Sequence, residues 1–151
     1  HLEFLCKEFF KVLRMRKELS KEPFVKTINQ FTNVPMKNPV VDKSIEVALL
    51  IIEYCEVLQT ERKYVISTQL LKSGTSIGAN IHEAQNAESK ADFIHKIKIA
   101  TKELEETKYW LILCEKSNSY PTHINLSNKV NELGLILYKI LSTSIKSQKQ
   151  N

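Results

Sequence analysis

From Phe93 to Cys114, apolar or small residues recur at alternating steps of four and three: Phe93, Ile97, Ala100, Leu104, Thr107, Leu111 and Cys114. Such steps follow one stripe of an α-helix, where 3.6 residues make a turn, and they cannot follow a strand, which alternates every two residues. A long helix with one apolar stripe must bury that stripe against other helices. A second apolar line (Ile94, Ile99, Trp110, Ile112, Leu113) widens the arc towards its end. Ser89-Lys90-Ala91-Asp92 provides the start, a serine cap with an acidic residue at the third helical position, close to a capping box. With only three glycines and four prolines in 151 residues, turn-rich β architectures are disfavoured and further long helices are expected.

Those helices are visible on either side. The first is read from Asp42 or Ser44, either a good cap, to about Gln59. Its polar positions Glu46, Glu53 and Glu56 form a thin stripe, while Ile45, Val47, Ala48, Leu49, Leu50, Ile51, Ile52, Tyr54, Val57 and Leu58 cover most of the rest. A bundle core needs about three positions in seven, so an arc this wide calls for a second partner, a neighbouring subunit. Thr60 to Lys63 makes the connection to a second helix reaching about Ala87. Gly74 and Gly78 lie within it and cost roughly 2 kcal/mol relative to alanine. They stand four apart on one face, with Leu70, Leu71, Ile77, Ile81 and Ala84 continuing the apolar pattern, which reads as a helix-packing surface where two backbones approach closely. Ser117 to Thr122 is a turn. The last helix, near Leu126 to Ile145, is expected to bury Val130, Leu133, Leu137, Ile140, Leu141 and Ile145, with a polar tail at 147–151.

The fold expected is therefore all-α, an antiparallel up-down four-helix bundle over residues 38–146. Residues 1–37 are read as an N-terminal extension, either an appended arm or a segment foreign to the natural protein. Within it residues 2–20 have the pattern of a basic amphipathic helix (Leu2, Leu5, Phe9, Val12 and Leu13 against Lys7, Lys11 and Arg14), an irregular stretch from Pro23 to Pro39 follows, and Met36 stands where a compact domain would begin.

Charge and cysteines narrow the function. The net charge is +5, but residues 1–37 hold eight Lys/Arg against four Asp/Glu and residues 38–151 fourteen against thirteen. The bundle is nearly neutral, so nucleic-acid contact by it must come from patches. Cys6, Cys55 and Cys114 form no CxxC and read as free thiols in a reducing cytoplasm. No apolar run approaches the roughly 20 residues of a membrane span.

No complete catalytic or metal constellation appears. Ser73 to Asn80 contains GTSIG, which is neither phosphate-loop pattern, and no strand precedes it. His82-Glu83 begins like a zincin motif, but Asn86 occupies the second histidine position. Asp92-x-x-His95 lacks the second pair and the two further carboxylates of a di-iron bundle. Glu103, Glu105 and Glu106, interleaved with Lys102 and Lys108, read as a solvated face. No catalytic residue, metal or cofactor is expected. Lys72, Lys90, Lys96, Lys98 and Lys102, on two adjacent helices, are the candidate phosphate contacts.

The run Gln69-Leu70-Leu71-Lys72-Ser73-Gly74-Thr75-Ser76-Ile77-Gly78-Ala79-Asn80-Ile81, then Glu83-Ala84 and Ser89 to Lys96, resembles the bacterial four-helix-bundle family encoded in intervening sequences of 23S ribosomal RNA genes. Lys102-Glu103, Glu106-Thr107, Tyr109-Trp110-Leu111, Lys139-Ile140-Leu141 and Ser144-Ile145-Lys146 continue the likeness, which spans about Met36 to Lys149. The resemblance implies a homo-oligomeric ring, a pentamer, and kinship with the accessory variability protein of diversity-generating retroelements, a basic barrel that binds nucleic acid and a reverse transcriptase. The function expected is a non-enzymatic, cytoplasmic oligomeric scaffold contacting RNA or DNA through the five lysines. The alternative is a protein-protein adaptor docking a nucleic-acid enzyme with no direct nucleic-acid contact.

Overall fold

A computed structural model describes residues 38–148. Among the described residues there are four helices and no strand: α1 Pro39–Thr60, α2 Tyr64–Ala84, α3 Lys90–Lys116 and α4 Ile124–Gln148. The expected amphipathic helix over residues 2–20, the extension that holds it and Cys6 lie outside the described residues.

α1 begins earlier than its polar residues suggest. Asn38 is extended (φ −151°) and Pro39 opens the helix, where a fixed φ and a missing N–H carry no penalty. Asp42 sits inside the first turn, where a carboxylate meets the positive end of the helix. Ser44, the other expected cap, is buried and donates to the Val41 carbonyl at 2.7 Å. The end of α1 is closed by Arg62, which takes the left-handed conformation (φ 59°) that glycine usually supplies. Its N–H reaches Gln59 O at 3.0 Å and that of Lys63 reaches Leu58 O at 2.8 Å.

α3 starts as its cap residues require, with Ser89 Oγ accepting from Asp92 N at 3.1 Å and Asp92 Oδ2 accepting from Glu88 N at 3.3 Å. Ile97, Ala100, Leu104, Thr107, Leu111 and Cys114 are buried along its seam. At the first seam position Phe93 packs against the shared core but is only half-buried, whereas the next residue, Ile94, is buried outside that cluster. α2 stops at Ala84, three residues before the expected end, and α4 continues to Gln148, so Ser147 and Gln148 of the expected tail are helical. Deep burial on α4 ends at Leu137, with Ile140, Leu141 and Ile145 only partly covered.

One core joins all four helices: Val47, Ile51 and Leu58 from α1, Leu70, Ile77 and Ile81 from α2, Ile97 and Leu104 from α3, Val130, Leu133 and Leu137 from α4. α1 packs on α2 and α4, and α3 packs on α2 and α4. Buried hydroxyls on the seams are paired, as is the Cys55 thiol. Ser67 Oγ donates to Cys55 O at 3.1 Å while Cys55 Sγ donates to Ser67 O at 3.4 Å, and Thr107 Oγ1 lies 3.0 Å from Ser73 Oγ. Cys55 and Cys114 are free and buried, and burial pushes the Cys55 thiol up to about 11.

The two glycines of α2 both face α1, but they are not equivalent. A Cβ on Gly74 would stand 2.3 Å from Ile51 Cδ1 and 2.9 Å from its Cγ2, whereas one on Gly78 would meet only Ser44 Oγ at 3.5 Å, an ordinary contact. Close approach therefore demands glycine at 74 alone. The third glycine, Gly134, is buried on α4, and its absent Cβ would lie 3.0 Å from Leu104 Cδ2 and 3.2 Å from Lys108 Nζ.

Candidate nucleic-acid interface

The five expected lysines do not converge on one spot. Lys98 and Lys102 lie on successive turns of the outward face of α3, about 6 Å apart along its axis, and Lys90 opens the same helix; all three are exposed. Lys72 is exposed on α2, and the Ser73–Thr107 hydrogen bond sets it level with the middle of α3. Seventeen residues of helix, about 25 Å, separate that level from Lys90. Lys96 leaves the set. It is half-buried and forms an ion pair with Glu83 at 2.5 Å, and the Glu83 carboxylate holds its ammonium above the ordinary lysine value. Lys72, Lys90, Lys98 and Lys102 carry no ion pair among the described residues.

Other lysines are spent inside the fold. Lys43 of α1 pairs with Glu132 of α4 at 2.5 Å and Glu46 at 3.1 Å, and Lys129 pairs with Glu46 at 2.9 Å. The hydrogen bond that Lys43 donates to Glu132 raises Lys43 well above its usual value and lowers Glu132. Lys108 of α3 bonds Glu105 at 3.0 Å and stands over the Tyr138 ring of α4, 5.2 Å from its centre. Tyr138 donates a short hydrogen bond to Glu105, which is the main cause of that carboxyl's lowered pKa.

The carboxylates are likewise engaged structurally. Glu83 holds Lys96, Glu106 accepts from Trp110 Nε1 at 3.2 Å, and Asp92 caps α3. Among the described residues no group of three or more His, Cys, Asp or Glu comes together to hold a metal, and no helix is long and apolar enough to cross a membrane.

One feature escapes sequence reading. His123, in the turn before α4, is buried between three helices. Its Nε2 lies 3.0 Å from Leu111 O, its Nδ1 lies 2.8 Å from Ser127 Oγ, and its ring meets Tyr54 edge-on at 4.9 Å. Tyr54 in turn donates to Pro121 O at 3.1 Å, and burial pushes its phenol well up. The pair fastens the turn and lines a shallow, open groove with Val57, Ile124 and Leu126. A lone histidine beside a proline turn carries no periodic signal, so nothing local marks it. Apolar surface is exposed on two helices as well. On α1, Ile45, Leu49 and Ile52 are 45%, 48% and 39% exposed, and on α3, Tyr109, Ile112 and Leu113 are 55%, 46% and 39% exposed. The α1 stripe is the surplus that its wide apolar arc implied; the α3 stripe continues outward the arc that widens at its C-terminal end.

A family model described as 23S rRNA-intervening sequence protein matches residues 36–139. A solved structure of a protein with unknown function, from the S23 ribosomal protein family of Bacteroides thetaiotaomicron, is 45% identical, with 68% of this chain and 97% of that chain covered and a TM-score of 0.65. The curated proteins contain no match.

Proposed function

The chain belongs to the 23S rRNA-intervening sequence protein family, and from that premise we propose that it is a non-enzymatic, cytoplasmic scaffold that contacts RNA or DNA. In this reading the four helices run up and down antiparallel and the bundle assembles into a homo-oligomeric ring, a pentamer. The observation that carries the nucleic-acid part is the sorting of lysines. Lys43, Lys96, Lys108 and Lys129 are neutralised by carboxylates, whereas Lys90, Lys98 and Lys102 stand exposed along one helix. Lysines left without protein partners along one helix match the repeating negative charge of a phosphate backbone, and a ring multiplies a few weak contacts into useful avidity. Lys72 contributes from the flank.

Binding of the full-length chain to labelled ribosomal RNA fragments and to single strands, followed by fluorescence anisotropy across a salt series, tests this. Affinity is expected to fall steeply with salt, and Lys98→Gln with Lys102→Gln should reduce the log–log slope by about 1–2. No measurable affinity at about 50 mM salt, or an unchanged slope in the double variant, overturns the reading.

The exposed apolar side chains favour a second reading, an adaptor docking a nucleic-acid enzyme without touching nucleic acid. Leu135 of α4 is 72% exposed and distant in sequence from the α1 and α3 stripes. Stoichiometric recovery of one protein partner after nuclease treatment, lost in Leu135→Glu, would select it.

A further inference from the structure

We infer that the outward stripe of α1 is covered by the outward face of the C-terminal half of α3 from a second copy of this chain, in a head-to-tail contact. Ile45, Leu49 and Ile52 step by four and three along one side of α1; Tyr109, Ile112 and Leu113 cluster on one side of α3. α1 and α3 each pack on α2 and α4. Their outward faces consequently point away from each other, and the described helices of one protomer cannot cover both. Three half-exposed apolar side chains in a contiguous stripe are more than the scattered single residues that soluble surfaces normally show.

Charge selects the pairing. The α1 stripe is bordered by Asp42 and Glu53, and residues 44–60 contain no lysine or arginine. Two α1 stripes laid antiparallel would bring the acidic edge of one onto the acidic edge of the other. The α3 face instead ends in exposed Lys116, one turn beyond Ile112 and Leu113, while its neighbours Glu105 and Glu106 are already hydrogen-bonded within the protomer to Lys108 and Trp110. Leu49 and Ile52 on Tyr109, Ile112 and Leu113 then bring Glu53 towards Lys116. A contact between two different faces on opposite sides of a protomer is heterologous, and a chain of such contacts forms a ring when the rotation between copies closes. The apolar seam on α3 begins at Tyr109, two turns beyond Lys102. This inference rests on the homo-oligomeric reading above and is independent of nucleic-acid binding.

The test is multi-angle light scattering of the full-length chain. Leu49→Glu and Ile112→Glu are each expected to be monomeric with unchanged helical circular dichroism. Mixed one to one they should form a dimer, because the intact α3 face of the first fits the intact α1 face of the second. An Ile112→Glu protein that assembles like the wild type overturns the pairing, as does a mixture that stays monomeric. Should either variant lose helicity, charge reversal decides. Glu53→Lys and Lys116→Glu should each weaken assembly by about fivefold and together restore it; a double variant no better than the singles overturns the inference. An intact ring with no nucleic-acid affinity sinks the scaffold's nucleic-acid role and supports this contact, while a monomeric wild type overturns this contact whatever the affinity.

Discussion

Replacing Gly74 and Gly78 separately by alanine should move stability in opposite directions. Alanine in a helix interior is favoured over glycine by about 1 kcal/mol, and both sites are helical, so the local gain is the same. The surroundings differ. At Gly78 the added methyl meets Ser44 Oγ at 3.5 Å, an ordinary contact, and the gain of about 1 kcal/mol survives. At Gly74 the methyl arrives 2.3 Å from Ile51 Cδ1, 2.9 Å from Cγ2 and 3.2 Å from Cγ1. Ile51 is fully buried and β-branched, so its χ1 is stiff and Cγ2, which χ1 alone places, does not swing clear. Overpacking of this kind costs roughly 1–3 kcal/mol, which leaves Gly74→Ala about 1 kcal/mol less stable than the wild type. Urea unfolding at fixed protein concentration reads both variants, and they should be separated by about 2 kcal/mol. The cause is checked by a double-mutant cycle with Ile51→Val, which deletes the nearest clashing atom. Alone that change costs about 1 kcal/mol; combined with Gly74→Ala it should cost less than the sum, with a coupling of about 1 kcal/mol. Equal stabilisation by both alanines, or strict additivity in the cycle, refutes the close-packing argument.

Three further outcomes are expected. Thr107→Val keeps the shape of a buried side chain but removes its hydroxyl from Ser73 Oγ, so urea unfolding should show a loss of about 1–2 kcal/mol. Arg62→Gly should raise stability by about 0.5–1 kcal/mol, since Arg62 holds the left-handed position that closes α1; no gain in the thermal midpoint would contradict the strain assigned there. The Lys43–Glu132–Glu46–Lys129 network should shape the pH profile. Glu132 and Glu46 are held below their ordinary 4.5, so their stabilisation is present above that value and is lost as pH falls through the lower folded pKa. Lys43 is raised above its ordinary 10.5, so its share is present below that value and is lost only as pH rises through the higher folded pKa. Glu132→Gln should therefore lower the urea midpoint at pH 7 and flatten the acid limb; parallel limbs for the variant and wild type would refute the assignment.

The helices, their order and most of their buried residues could be read along the chain, because periodicity is a local property. The steps of four and three from Ile97 to Cys114, the Ser89 cap and the surplus apolar arc of α1 all follow from 3.6 residues per turn and from which side chains avoid water. Local signals compete at Asn38-Pro39, where a proline start outranks the polar caps three and five residues on. What only the tertiary structure decided depends on the azimuth and level at which two helices meet. Gly74 and Gly78 look alike in sequence, and the difference is that Ile51 of α1 lies against one and Ser44 against the other. Lys96 looks like its neighbour Lys98 until Glu83, thirteen residues earlier, is found beside it. His123 gains its role from Tyr54, sixty-nine residues away in the chain, and from Leu111 and Ser127 on two further helices. Composition and spacing thus determine that this chain makes four helices with more apolar surface than one core can bury. Which glycine is indispensable, which lysines remain free and which faces stay uncovered are set by contacts between residues far apart in sequence, where no repeat carries the information.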